Sequence, residues 1–267
     1  FIDIGDGIWM FQGITNSTMR HGEGFDFIEL GTYIERAQLV ARLLDVYLSP
    51  PQEDGPKFAT PGYFDWISLL KQCTGFEAYC KVYTAQISPR KIAEFLIFDP
   101  EFPHSIRFAV DKVQSALEQI ALAELAESVQ QSNAIENSTL TLDDTERILS
   151  DRLPSGRRDL HEVYEAKNLA AVTVDVLTTA SPLTTDHILR WHGMLLAGIR
   201  DDAAGRFRRG GEWVRVGGHV GANPAFVSGL VAEALTRYRK EARSLPLDAI
   251  ARFHCEFETI HPFVDGN

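Results

Sequence analysis

The residues best suited to chemistry stand together at the end of the sequence, Thr259-Ile260-His261-Pro262-Phe263-Val264-Asp265-Gly266-Asn267. A His closes an apolar helical pattern, Pro stops the helix, Phe can anchor the turn in a core, and Asp-Gly-Asn opens a tight loop whose amides can face an anion. Such a set suits transfer of a phosphate-containing group. A His with a pKa near neutrality takes a proton from a hydroxyl, a carboxylate holds Mg2+, and loop amides neutralise phosphate oxygens. The competing reading of the same His is a cap on the last carbonyls of its helix. Glu258-x-x-His261 also has the spacing of half a di-iron carboxylate site, which needs a second such pair; the other candidate, Glu101-x-x-His104, has Pro103 inside it.

Two further polar groups carry paired readings. His21, Glu23, Asp26, Glu35 and Arg36 form either a polar site or a buried Glu-Arg pair with a helix cap joining two helices. Arg206, Arg208 and Arg209 either meet phosphate or make a solvated face. Cys73, Cys80 and Cys255 are odd in number and contain no C-x-x-C pair, which predicts reduced core thiols in a reducing, cytoplasmic compartment.

The elements that must position these residues are mostly helical. Apolar residues recur at three- and four-residue steps from Asp26 to Leu48, where Ser49-Pro50-Pro51 ends the pattern. Tyr63 to Tyr83 reads as a second helix, Lys91 to Ile97 as a third behind Ser88-Pro89, and Ser105 to Gln131 as a long fourth. Ser138 or Thr141 opens a short helix, followed by helices over Leu160 to Thr178 and Ile188 to Ile199. The Gly-rich stretch Gly205 to Gly221 reads as a β-hairpin set among helices. Pro224 to Arg243 and Leu247 to Ile260 complete the pattern.

Composition bounds the rest. The 267 residues are 45% apolar and 24% charged, with 16 Phe, 7 Tyr and 4 Trp, the profile of one large or two modest globular domains and not of a disordered chain. A net charge of −11 repels phosphate backbones and argues against non-specific nucleic-acid binding. No apolar run approaches the roughly 20 residues of a membrane helix, and no export signal is visible. The chain begins at Phe1 without a Met and stops at Asn267 inside the motif, so an excerpt of a longer protein is expected.

His261-Pro262-Phe263-Val264-Asp265-Gly266-Asn267 resembles the start of the signature of the Fic-domain family, His-Pro-Phe-x-Asp/Glu-Gly-Asn-Gly/Lys-Arg. Ser132-Asn133-Ala134-Ile135-Glu136-Asn137 resembles that family's inhibitory helix, Ser/Thr-x-x-x-Glu-Gly/Asn, here on the N-terminal side of the core. Gly205-Arg206-Phe207-Arg208 with Val214-Arg215-Val216-Gly217-Gly218 is similar to its Gly-x-Tyr/Phe-Arg stretch and β-hairpin flap. The resemblance implies that His261 is the general base, Asp265 binds Mg2+, and Gly266 and Asn267 form the anion hole for ATP phosphates. The flap, Glu212, Trp213, Val214, Arg215 and Val216, would pin an extended target segment by strand addition. Ser132 and Glu136 would be the inhibitory residues, Glu136 placing a carboxylate against the triphosphate. The implied activity is transfer of AMP from ATP to a Ser, Thr or Tyr hydroxyl of a protein, weak or absent in a chain that lacks the Gly/Lys-Arg after Asn267.

The N-terminal part resembles another family. Phe11 to Phe27, Leu30-Gly31-x-Tyr33-Ile34-Glu35-Arg36-Ala37, Phe76-Glu77-Ala78-Tyr79 and Phe95 to Pro103 are similar to the alpha-E domain, a helical family that accompanies ATP-grasp proteins. The expected architecture is therefore all-α: a partial alpha-E-like helical bundle over 1–118, then a Fic-like helical domain with a β-hairpin flap over 119–267. The alternative function is a non-catalytic helical interaction module with an ATP-grasp protein as partner.

Overall fold

The computed structural model describes residues 2–49, 61–84, 86–136, 138–156 and 158–266. Among them are eleven helices and a hairpin of two short antiparallel strands, so the fold is mainly α-helical as the sequence predicts. The chain divides into two compact units, Phe1–Ala123 and Glu124–Asn267.

The first unit holds α1 (Ile2–Thr18), α2 (Glu23–Leu48), α3 (Tyr63–Gln72), α4 (Phe76–Tyr83), α5 (Pro89–Phe98) and the start of α6 (Ile106–Ile135). Its core gathers Val40 and Leu44 of α2 with Leu69, Leu70, Tyr79, Ile92 and Phe95. The single helix expected over Tyr63 to Tyr83 is two helices. Thr74 takes a left-handed φ of 52°, and the Gly75 amide reaches back to the Leu70 carbonyl at 2.7 Å, which closes α3 with a helix-ending turn. A Cβ on Gly75 would lie 2.7 Å from the Phe102 ring, so the break requires glycine there. Helix α1 was not expected from periodicity, and its Met10, Phe11 and Ile14 are more than half exposed.

Glu35 and Arg36 do not form the buried pair that was one of the two readings. Consecutive helical residues point in different directions; Arg36 instead donates to the Pro103 carbonyl at 3.1 Å and lies over the Tyr33 ring, while Glu35 is exposed. His21 stacks on Phe25 with centroids 4.0 Å apart and bonds the Asn16 carbonyl at 3.0 Å through Nε2. Cys73 is buried, which pushes its thiol up to about 11.

The second unit continues α6 and adds α7 (Leu142–Leu149), α8 (Leu160–Thr178), α9 (Thr185–Leu195), β1 (Arg215–Val216), β2 (His219–Val220), α10 (Val227–Glu241) and α11 (Pro246–Ile260). Of the two expected start points, Thr141 is the N-cap of α7: its hydroxyl accepts from the Asp144 amide, and Asp144 reaches back to the Thr141 amide. Asp144 is fully buried and also accepts from the Ser155 amide at 2.8 Å and from Arg158 Nη2 at 2.5 Å. Burial alone would raise its pKa; the bonds from Thr141, Ser155 and Arg158 outweigh that and hold it at about 2. A lowered folded-state pKa stabilises the protein at neutral pH, and that contribution is lost as the pH falls from about 4 through 2. Asp144→Asn is therefore expected to cost about 3 kcal/mol at pH 7, because it strands Arg158, and to cost progressively less in acid; urea melts at pH 7 and pH 3 check this.

Two clusters fill this unit. Val129, Leu140, Ile148, Ala166 and Ala170 join the end of α6 to α7 and α8. Ile188, Val227, Val231, Leu235, Ile260 and Phe263 join α9, α10, α11 and the chain beyond α11. The hairpin pairs Arg215 with Val220 and Val216 with His219. Gly217, φ +58°, forms its turn, a conformation that matches strand twist and favours glycine. Trp213 and Val214 lie ahead of the paired residues, so the ladder is shorter than the expected hairpin.

Candidate functional site

The site grows from the end of α11. Its C-cap is His261, in a left-handed conformation (φ 51°, ψ 68°), and Pro262 blocks any further turn. Phe263 is 2% exposed. Its ring stacks on His192 of α9 with centroids 3.7 Å apart and 7° between planes, and it also packs on Phe207. His192 is buried and singly protonated by its partners: Nδ1 accepts from the Gly205 amide at 3.1 Å, so Nε2 carries the proton and donates to the Asp265 carbonyl at 3.0 Å. Burial lowers its pKa, against the pull of Asp265. His192 was missed by the sequence reading; its signal would have been a His on the apolar face of α9 with no other use.

Asp265 follows, half-exposed, with Oδ2 3.5 Å from Arg200 Nη1 and Oδ1 accepting from the Gly266 amide at 3.0 Å. Gly266 has φ +67°, and a Cβ there would meet the Leu196 side chain at 3.4 Å. Asn267 lies outside the described residues.

Asp265 and Gly266 form one wall of a cleft of about 180 Å³ that Ser132, Asn133, Glu136, His161 and Glu165 also line. The stretch that resembles an inhibitory helix is continuous with α6: Ser132 lies in its last turn and Glu136 is the residue after it, closing that turn through its amide on the Asn133 carbonyl at 3.1 Å. The turn is tied to α8 by Glu162, which accepts from the Thr139 amide and hydroxyl at 2.5 and 2.9 Å. Glu165 meets His161 Nδ1 at 3.1 Å. Its carboxyl is raised by burial, with His161 opposing and Glu136, Glu162 and Asp265 adding repulsion. The cleft thus carries three carboxylates and is smaller than the ~300–1,000 Å³ of pockets that enclose a whole small ligand. Among the described residues no cluster of three His, Cys, Asp or Glu is arranged for a metal. The half-exposed carboxylate of Asp265 is a donor of the kind Mg2+ takes, one or two carboxylates with water and phosphate completing the shell.

Across the His261 backbone stands the flap. Glu212 is committed to Arg206, whose guanidinium grips it at 2.8 and 2.9 Å, and it also accepts from the Arg209 amide at 2.7 Å. These bonds, Arg206 first, hold its carboxyl at about 2. Trp213, Arg215 and Val216 are exposed, and Val214 is half-buried. Arg208 follows neither sequence reading. It is 2% exposed and bonds four backbone carbonyls, including that of His261. The His261 ring is itself lowered in pKa by burial, with Glu258 opposing and Arg208 and His219 adding to the depression.

Known proteins bear on this arrangement. Residues 2–176 match the Alpha-E family, described as a predicted alpha-helical domain with a conserved ER motif, and residues 182–267 match the Fic/DOC family. The first match covers more than half of the sequence: the chain belongs to the Alpha-E family and ends in a Fic/DOC segment. The Alpha-E match runs past the boundary of the first compact unit and includes both Glu-Arg steps of that range, Glu35-Arg36 and Glu146-Arg147. "Protein adenylyltransferase Fic" of Drosophila persimilis is 29% identical over 165 residues, covering 60% of this chain and 32% of its own. The protein of the same name from Drosophila willistoni is 29% identical over 164 residues, with 60% and 32% covered. The chain spans about a third of the length of these curated relatives. A Fic family protein from Desulfovibrio desulfuricans G20 superposes with a TM-score of 0.49 at 24% identity, covering 80% of this chain and 55% of that one. Among the described residues, no helix is long and apolar enough to cross a membrane.

Proposed function

We propose that residues 119–267 form the catalytic part of a protein adenylyltransferase, moving AMP from ATP to a Ser, Thr or Tyr hydroxyl of a target protein under restraint by Glu136. The observation that carries this reading is the cleft in which Ser132 and Glu136, from the end of α6, face Asp265 and Gly266, from the loop after α11. Residues more than a hundred positions apart meet where an inhibitory carboxylate and an anion-binding loop have to meet. The name of the Drosophila relatives, protein adenylyltransferase, agrees with it.

The chemistry follows from the residues. The target hydroxyl oxygen bonds the α-phosphorus, the bond from that phosphorus to the pyrophosphate oxygen breaks, and the hydroxyl proton passes to a ring nitrogen of His261. Burial lowers the His261 pKa and so favours the neutral ring, the form that accepts that proton. Asp265 is the residue to hold Mg2+, which when bound offsets the negative charge of the phosphates. Gly266 and Asn267 are assigned to the phosphate oxygens; the Gly266 amide, bonded to Asp265 Oδ1 here, has to exchange that carboxylate for phosphate to serve there. The exposed strand residues Arg215 and Val216 offer backbone groups to an extended target segment, a recognition mode that reads main chain more than side chain. Glu136 adds a carboxylate to a cleft that already holds Glu165 and Asp265, and so opposes productive seating of a triphosphate.

The reading is tested with radiolabelled ATP and a chain extended past Asn267 by the Gly-Arg of the signature. Label is expected on protein in the Glu136→Gly background and not in the double variant with His261→Ala. No transfer in either overturns the proposal.

A further inference from the structure

The carbonyls at the end of α11 are capped from outside the helix, by the strap and flap that precede it. His219 Nε2 meets the Thr259 carbonyl at 2.8 Å. The Ala222 amide and Arg208 Nη2 meet that of Ile260 at 3.0 and 3.1 Å. Arg208 Nε meets that of His261 at 2.7 Å, and the Arg208 amide meets that of Pro262 at 3.0 Å. Four successive carbonyls are thus satisfied by residues 208–222.

Arg208 is central to this arrangement. Its side chain is almost wholly buried, and no carboxylate is paired with it among the described residues. A buried guanidinium without a counter-ion is costly, but here it sits at the negative end of a helix dipole and spends its donors on carbonyls. The geometry explains what this achieves. The Ile260 and His261 carbonyls belong to the two peptide planes on either side of the His261 Cα, so one guanidinium fixes both backbone torsions of that residue. Those torsions are left-handed, a state that is disfavoured for a side-chain-bearing residue. The remaining bonds of the same guanidinium go to the Glu212 carbonyl at 2.9 Å and the Ala222 carbonyl at 2.8 Å, near where the hairpin leaves and rejoins the body. Gly221 leaves room for it: a Cβ there would lie 3.0 Å from Arg208 Nη2 and 3.1 Å from the His261 Cβ.

We propose that Arg208 is a positioning residue that holds His261 in its left-handed conformation and couples it to the flap, so that the strand-binding surface and the proton acceptor move as one piece. The proposal rests on the reading of His261 as general base, while its coupling part stands apart from catalysis. Lysine can replace the charge but not the fork that holds four carbonyls at once.

Two measurements test it. By hydrogen exchange on this chain, Arg208→Lys is expected to speed exchange of the Gly221, Ala222 and His261 amides together while α8 keeps wild-type protection. In the extended chain with Glu136→Gly, Arg208→Lys is expected to lower kcat by about 30–100-fold, with KM for ATP within about twofold, the pattern of a misplaced reacting group. Exchange that rises in the flap and leaves the His261 amide unchanged overturns the coupling, and an unchanged kcat overturns the positioning role. Should Arg208→Lys not fold, Gly221→Ala perturbs the same contact with the guanidinium in place and is read the same way. If the extended parent transfers no label, the general-base reading falls, and the exchange result still decides the coupling.

Discussion

Replacing His261 with Ala is expected to lower protein labelling by about 10³-fold in the extended, Glu136→Gly chain, within the 10²–10⁴-fold range of general-base catalysis. The helix should survive the change, because Arg208 and the Ala222 amide bond the Ile260 carbonyl and Arg208 bonds that of His261, and what is lost is the imidazole's hydrogen bond to the Glu258 backbone. Stability is therefore expected to fall by no more than about 1 kcal/mol, the net worth of one hydrogen bond, while activity collapses, and that disproportion separates a base from a cap. The pH profile gives a second reading of the same group. Burial depresses the His261 pKa below its ordinary 6.5, Glu258 opposing and Arg208 and His219 assisting. The neutral ring is the active form, so kcat/KM should be flat around pH 7 and fall on the acid side, through a midpoint below 6.5. A midpoint above 6.5, or a profile that His261→Ala leaves unchanged, contradicts the assignment.

The sequence made some of this site legible and hid the rest for identifiable reasons. Helices with one strong apolar stripe are readable almost to the residue, as with Leu247 to Ile260, which falls one residue short of α11, because burial of one face dictates their period. The Thr74–Gly75 break escaped because apolar residues continue on both sides of it; what stops the helix is a left-handed residue and a distant ring, Phe102, both matters of tertiary packing. Helix α1 escaped for the opposite reason: Met10, Phe11 and Ile14 are exposed, so no single buried face sets a period there.

At the site, the consecutive run His261 to Gly266 was readable because its members act within one turn. Arg208 and His192 were not, since the bonds that tie each to the site reach far along the sequence. Arg208 grips carbonyls some fifty positions ahead, and His192 reaches the Asp265 carbonyl 73 residues away. A burial pattern cannot announce a hydrogen bond to a main chain far along the sequence. An exposed cationic run and a buried guanidinium look alike until the hairpin folds over one of them.

Glu136→Gly is expected to raise labelling of the extended chain by about 10-fold or more, and the companion Glu136→Gln decides how. Glu136 shares its cleft with Glu165 and Asp265, and the raised pKa of Glu165 already reports mutual repulsion after the effect of burial. A triphosphate entering there meets all three charges, and at a few ångströms one carboxylate suffices for a tenfold effect even with substantial screening. If charge is the brake, Gln releases it nearly as well as Gly, and the gain shrinks when Glu165 is also made Gln. If Glu136 acts by shape, Gln stays inhibited and only Gly is active. A stability explanation predicts something else again: Gly at the turn that closes α6 loosens Ser132–Glu136 without favouring nucleotide, so ATP affinity measured by titration would stay constant. The electrostatic account requires that affinity to rise in both single variants, and by less as salt increases, because Glu136 is exposed and open to screening.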